Sequence, residues 1–149
     1  FVATNNDLSR VENTGHNRAI NRHQWALNEL TGLLNDAKSQ HARCLKAIRQ
    51  LIDIRQGQPA FHPNATQFTL NCGRSIFGFW RQSPDRAQSI FCLYNVTPIS
   101  TTIATASLNL VGSDSWRDLI SGETVDLFSE DPTIELAPYQ AVWLTNTMT

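Results

Sequence analysis

The sequence has almost no net charge and no long apolar run. Its 149 residues carry a formal net charge of −1, with 12 Lys and Arg scattered among 13 Asp and Glu. Proteins that bind nucleic acid gather basic side chains on one face, so we expect no nucleic acid partner. No apolar run approaches the ~20 residues of a membrane-spanning helix, and the first residues lack the basic and apolar segments of a signal peptide. We therefore expect no membrane partner.

Cysteine is scarce, and its arrangement argues against disulfides. The three cysteines are Cys44, Cys72 and Cys92. An odd number at wide spacing, each within an apolar stretch, is typical of buried free thiols. Such thiols persist in a reducing compartment, so we expect a cytoplasmic protein.

Patterns for metal, nucleotide or serine-nucleophile chemistry are missing as well. The four histidines are His16, His23, His41 and His62. None of them is spaced from another histidine or from a cysteine as the paired ligands of a zinc site are. The sequence contains no glycine-rich phosphate loop and no Gly-x-Ser-x-Gly. We therefore predict no metal site and no cofactor.

The acidic residues do not indicate a catalytic pair. Cleavage of a glycosidic bond needs two carboxyl groups at a set separation with unequal pKa values. The acidic residues before residue 13 lie in a polar segment, and those after residue 113 lie at predicted turns or strand ends. Carboxylates in such places are usually solvated, so we predict no catalytic residue within the chain.

The first third of the chain is predicted to be loop and helix. Residues 1–22 are polar and rich in asparagine, which favours a loop. A short helix is predicted over 23–34 and a longer one over 37–56, with Asp36 or Ser39 as its N-cap. Three-and-four spacing predicts one buried stripe on the longer helix, made of Cys44, Leu45, Ile48, Leu51 and Ile52.

From residue 66 onward the pattern changes to strands separated by turns. We predict eight of them, over 66–71, 75–82, 87–95, 101–110, 115–120, 123–128, 133–136 and 139–145. Over 101–110 the even-numbered residues from Thr102 are mostly small or apolar, against Thr105, Ser107 and Asn109, which predicts a strand with one wet face. Short strands at regular spacing indicate an antiparallel sandwich. The fold class is therefore mainly β with an N-terminal α segment.

Two groups of side chains are candidates for sugar or phosphate binding. The densest polar cluster spans 15–23 and contains two Arg, two Asn and two His. Its planar donors suit hydroxyls and phosphate, although composition alone indicates only an exposed hydrophilic loop. Among the four tryptophans, Trp80 and Trp143 fall in apolar strand patterns typical of core, which leaves Trp116 as the candidate for an exposed sugar-stacking ring.

Several segments resemble sucrose phosphorylases of the α-amylase superfamily. The run Asn17-Arg18-Ala19-Ile20-Asn21-Arg22-His23 resembles their Gly-Arg-Asp-Ile-Asn-Arg-His segment. The stretch 51–67 is similar to the sister phosphorylases, which include the glucosylglycerate phosphorylases. Segments 95–97, 116–123 and 136–144 resemble the C-terminal β domain of that family, and all follow the expected order.

The resemblance implies a two-part organisation. Residues 1–57 would be the last loop and helices of a (β/α)8 catalytic barrel, and residues 58–149 a C-terminal Greek-key β-sandwich. The polar cluster would then lie over the active site, because such sites form at the carboxyl ends of barrel strands. Arg18 matches the family arginine on the acceptor side, where phosphate or the leaving sugar binds, and Asn21, Arg22 and His23 would shape the same loop.

The function implied is that of a retaining α-glucoside phosphorylase, which passes glucose from sucrose or a related α-glucoside to phosphate. The family's nucleophile and acid/base residues would lie in the missing N-terminal barrel, the main partner of this part, so the chain alone is expected to be inactive. Two departures argue against sucrose: Ala19 replaces an Asp, and Gln24-Trp25 replaces Tyr-Tyr. The alternative is a non-catalytic carbohydrate-binding or purely structural sandwich module of an α-amylase-type hydrolase.

Overall fold

The computed structural model describes residues 8–19, 25–108, 116–125 and 133–147. The chain forms two compact units, one up to Asp53 and one from Ile54. The first unit contains the helices, and the second contains all the strands. Among the described residues, no helix combines the length and the apolar character needed to cross a bilayer.

Residues 8–19 and 25–57, the described part of the first third, contain three α-helices: α1 (Ser9–Thr14), α2 (Leu27–Asn35) and α3 (Gln40–Gln56). Of the two predicted N-caps of α3, Ser39 is confirmed, because its Oγ accepts the Ala42 N–H at 3.0 Å. The helix starts at Gln40, later than the predicted residue 37. Asp36 instead accepts the N–H of Lys38 at 2.9 Å in the preceding turn. Helix α2 starts later than predicted, since Ala26 is still extended.

Two predictions for this region are wrong. The loop predicted over 1–22 contains, in its described part, α1 and a 3-10 turn at Asn17–Ala19. Propensity arguments missed α1 because a helix of under two turns is too short to show periodicity. The stripe on α3 is not fully buried either: no residue of α3 is buried, and Ile52 is exposed.

The described residues from 66 onward form eight strands, all paired antiparallel. They are β1 (Thr66–Leu70), β2 (Ile76–Gln82), β3 (Ser89–Asn95), β4 (Thr101–Ala104), β5 (Trp116–Asp118), β6 (Thr124–Val125), β7 (Thr133–Leu136) and β8 (Ala141–Thr145). One sheet has six strands in the order β1-β2-β3-β8-β5-β6, and β4 and β7 form a second sheet. The predicted fold class, mainly antiparallel β after a helical segment, is confirmed.

The core lies between the two sheets. Phe91 and Leu93 of β3 pack with Leu144 of β8, and from the two-stranded sheet Ile103 and Leu136 join them. Strand β3 is buried on both faces along most of its length, because the two-stranded sheet covers one face and a turn at Pro59–Phe61 covers part of the other. This explains why its sequence is a continuous apolar run rather than an alternating one.

Strand β4 differs from its prediction in length and in face. It ends at Ala104, and a 3-10 turn at Thr105–Leu108 replaces its second half. The buried residues are Ile103, Thr105 and Leu108, whereas Thr102 is exposed. The prediction was wrong because the largest apolar side chain, Ile103, determines which face of the strand is buried, and the turn then shifts the alternation by one residue.

Candidate functional site

Arg18 lies in a tight local structure that follows α1. Gly15 ends that helix with φ 68°, and its N–H donates to the Val11 carbonyl at 2.8 Å. The left-handed backbone favours glycine at this position. The 3-10 turn comes next, closed by the Ala19 N–H on the His16 carbonyl at 2.8 Å. Arg18 therefore projects from an ordered turn and is exposed to solvent.

Only part of the predicted site can be placed. Asn21, Arg22 and His23 lie outside the described residues. Arg18 is described, and its guanidinium makes no hydrogen bond or ion pair with the rest of the described chain. Its five N–H donors are thus available for an anion, and a guanidinium binds phosphate oxygens in pairs. The assignment of these four residues to substrate binding stays a prediction.

Trp116 is buried, so its predicted role as a surface platform is wrong. Only 4% of the residue is exposed, and its ring packs 5.2 Å from that of Phe91 in the core. Trp143 is buried as predicted, and its ring packs against Phe61 at 5.0 Å. Trp80 is half-buried against the core and stacks on Phe68 at 4.9 Å. None of these rings presents a free face of the kind that stacks on a sugar.

The outer face of the six-stranded sheet is partly covered by a 3-10 turn at Pro59–Phe61. The buried side chain of Gln88 accepts the Ala60 N–H at 3.0 Å and donates to Gln58 Oε1 at 2.6 Å. From the other side, Arg81 donates to the carbonyls of Ala60 and His62 at 3.1 and 2.7 Å. These bonds join the turn to β2 and to the start of β3.

A groove of about 380 Å³ lies beside this turn. Its walls include Arg55, Gln58, Phe61 and His62. The volume lies near the lower limit of small-molecule sites, but no Asp or Glu lines the groove. It therefore lacks the carboxyl pair that glycosidic chemistry requires.

The three cysteines are free thiols, as predicted, although only Cys92 is buried. Burial raises the pKa of the Cys92 thiol to about 12. Burial also raises the pKa of Tyr94, whose hydroxyl accepts a hydrogen bond from Trp143 Nε1 at 2.8 Å. These groups are neutral near pH 7, so neither is an activated nucleophile. In the described parts of the chain, no group of three His, Cys, Asp or Glu side chains could hold a metal ion.

Sequence reasoning missed two buried polar residues that hold the strands together. Asp118 accepts three backbone N–H bonds, including one from Trp143 at 2.8 Å. The Asn95 amide donates to the carbonyls of Ile99, Leu136 and Ala137. No sequence pattern marks the bonds that join the strands, because Trp143 is distant from Asp118, and Leu136 and Ala137 are distant from Asn95, along the chain.

Curated relatives align with nearly the whole length of this chain. It is 30% identical to the glucosylglycerate phosphorylase of Spirochaeta thermophila over 97% of the chain and 26% of that protein. The glucosylglycerate phosphorylase of Escherichia coli is 33% identical over 97% of the chain and 24% of that protein. The chain thus spans about a quarter of the length of the curated relatives it matches. No protein-family model matches it.

Solved structures share the fold. The complex of AmyP E221Q with maltotriose superposes with a TM-score of 0.62 at 17% identity, over 74% of this chain and 22% of that one. An Anoxybacillus α-amylase gives 0.59 at 16% identity, over 72% and 23%. Together with the antiparallel sheets, these likenesses show a shared fold, an antiparallel β domain preceded by helices.

Within that class the sequence matches are more specific. The chain is 30–33% identical to glucosylglycerate phosphorylases over nearly its whole length, and this similarity supports a C-terminal part of a sucrose/glucosylglycerate phosphorylase-like enzyme.

Proposed function

We propose that this chain belongs to a retaining α-glucoside phosphorylase that transfers a glucosyl group from its donor to phosphate. A carboxylate of the preceding catalytic barrel would displace the leaving group and form a glucosyl ester. Phosphate would then attack the same carbon, release the carboxylate and yield glucose 1-phosphate. In this proposal residues 1–57 complete the barrel, and residues 58–149 form the sandwich that stabilises it.

One observation carries the proposal, namely the similarity to glucosylglycerate phosphorylases along 97% of the chain. Similarity confined to the sandwich would fit any α-amylase-type enzyme, but here it includes the polar cluster around Arg18. The relatives favour glucosylglycerate as the donor. The departures at Ala19 and at Gln24-Trp25 also argue against sucrose.

Arg18 is the residue of this chain that we propose for phosphate and acceptor binding. It is exposed on an ordered turn, and its guanidinium has no partner among the described residues. Asn21, Arg22 and His23 would complete the same loop. We also propose a cytoplasmic location, which is supported by the three free thiols.

The test is made on the longer enzyme that contains this chain. Supplied with phosphate, it should release glucose 1-phosphate, with kcat/KM for glucosylglycerate at least about tenfold above that for sucrose. Release of free glucose at a rate independent of phosphate would show a hydrolase instead. A preference for sucrose would contradict the donor assignment only.

Arg18→Ala tests the proposed role of the loop. We expect kcat/KM for phosphate to fall by about 30-fold or more, because a charge-assisted bidentate contact is lost, while donor recognition changes little. Arg10→Ala is the matched control, since Arg10 is an exposed arginine of α1 in the same unit. Equal losses for donor and phosphate would contradict the role of Arg18.

The carbohydrate-binding alternative loses its main support. It required an exposed Trp116, and that ring is buried. A purely structural role for residues 58–149 is compatible with the proposal, because the sandwich contributes no residue to the chemistry in it.

A further inference from the structure

The outer face of the six-stranded sheet has an open half that is aromatic. Phe77 and Phe79 alternate along β2, and Tyr94 of β3 is the register partner of Phe77. The three rings form one group, with centroids 6.1 Å apart for Phe77 and Tyr94 and 6.0 Å apart for Phe79 and Tyr94. Val96 extends the group beyond the end of β3. We call these four residues the outer aromatic patch.

The patch is exposed well beyond what is usual for such residues. Phe77 is 54% exposed and Val96 56%, while Phe79 and Tyr94 are half-buried. The patch contains no charged side chain, and its one polar group, the Tyr94 hydroxyl, already accepts the bond from Trp143. A contiguous apolar surface on a soluble domain is typical of a protein contact. A sugar-binding face would instead need several free polar groups beside its rings.

The other half of the same face shows what kind of chain covers it. There the Pro59–Phe61 turn lies on the sheet, with the Phe61 ring against Trp143. Ile90 and Cys92, on the same side of β3 as Tyr94, are fully buried. The turn belongs to the segment that arrives from the end of α3. The covered half is therefore covered by the segment that leads from α3 to β1.

We propose that the outer aromatic patch is the surface against which the preceding part of the same enzyme packs. The relatives are about four times as long as their match to this chain, so most of such an enzyme lies outside it. The patch continues the face of the sheet that the Pro59–Phe61 turn covers, and it is apolar, as permanent contacts between domains are. This inference rests on the proposed function, because it requires a longer enzyme.

The experiment compares Phe77→Ser in the longer enzyme and in the chain by itself. Loss of a buried aromatic anchor should speed limited proteolysis of the longer enzyme by about tenfold or more. In the chain by itself the same change should leave proteolysis nearly unaltered, because the Phe77 side chain is already exposed there. Phe68→Ser is the matched control: Phe68 is 46% exposed but stacks on Trp80, so its loss should weaken both forms alike.

A second measurement does not depend on stability. Phe77→Cys in the longer enzyme should react with iodoacetamide at least about tenfold more slowly than Phe68→Cys, because only position 77 would be covered. Similar reaction rates, or a Phe77→Ser effect that is equal in both forms, would overturn the inference. The isolated chain could also form a dimer that Phe77→Ser dissociates, while the same change has no effect in the longer enzyme. That result would assign the patch to a second copy of the chain and would also overturn the inference. If the longer enzyme has phosphorylase activity and the substitutions alter neither its proteolysis nor its labelling, only the inference fails. If the longer enzyme has no phosphorylase activity, the proposed function fails.

Discussion

At the scale of single residues, Asp118 shows how one buried carboxylate joins distant parts of the chain. Only 4% of the residue is exposed, and its two oxygens accept the N–H groups of Ile120, Ser121 and Trp143 at 2.8–3.2 Å. The first two belong to the turn after β5, and the third belongs to β8. The carboxylate thus fixes that turn against the neighbouring strand, and it offsets its own desolvation by charge-assisted bonds.

We predict that Asp118→Ala lowers the free energy of unfolding by about 3 kcal/mol, because it leaves a buried N–H of Trp143 without an acceptor. Urea denaturation would measure this. Glu123→Ala, at an exposed acidic residue of the same turn, should change it by less than about 0.5 kcal/mol. Equal effects of the two changes would show that the buried bonds contribute little.

Cys92 lowers the stability of the folded chain as the pH becomes alkaline. Burial raises its pKa from 9.0 to about 12, so between these values the unfolded chain loses the thiol proton while the folded chain keeps it. The contribution of this group is complete below pH 9 and is lost as the pH rises toward 12, by up to about 1.4 kcal/mol per pH unit.

We therefore predict that Cys92→Ala makes the fall in stability between pH 8 and pH 10 smaller by about 1 kcal/mol. Urea denaturation at the two pH values measures the slope. The same slope in the variant and the wild type would mean that the thiol titrates normally in the folded chain.

At the scale of elements, strand β2 packs so closely on the preceding turn that one position accepts only glycine. A Cβ at Gly78 would lie 2.7 Å from Cys72 Sγ and 3.3 Å from Leu93 Cδ2. The Gly78 backbone has no positive φ, so the close approach alone restricts this position. Sequence reasoning predicted the strand but not this contact, because a glycine within a strand has several explanations.

We predict that Gly78→Ala costs about 1–3 kcal/mol of stability, because the Cys72 side chain must move. Cys72→Ala in the same molecule should remove most of that cost. A double-mutant cycle by urea denaturation should give a coupling energy above about 0.5 kcal/mol. Strictly additive effects would place the strain on Leu93 or on the backbone instead.

At the scale of the whole molecule, we assign substrate binding to this chain and bond breaking to the preceding barrel. No Asp or Glu lines the groove beside the Pro59–Phe61 turn, and Asp118 is buried and bonded within the sandwich. The carboxylates that a retaining mechanism needs would come from the preceding barrel.

We predict that the 149-residue chain by itself releases no glucose 1-phosphate from glucosylglycerate or sucrose in the presence of phosphate. A coupled assay for glucose 1-phosphate measures this, with the longer enzyme as the positive control. Turnover by the isolated chain would show that a catalytic pair lies within it, and it would contradict the assignment of the chemistry to the barrel.

The sequence by itself determined the order and type of most elements. Helix α3 with its Ser39 cap and seven of the strands follow from local periodicity and turn residues, which act over a few positions. The similarity around Arg18 and in the sandwich likewise needs no structure. These features are readable because their physical causes are local along the chain.

Only the tertiary structure decided which faces are buried. It placed Trp116 in the core, reversed the buried face of β4 and left the stripe on α3 half-exposed. It also showed the Asp118 and Gln88 bonds and the open aromatic face of the sheet. Burial and buried hydrogen bonds depend on which distant segments meet, and an alternating pattern is satisfied equally well by either face until the partner strand is known.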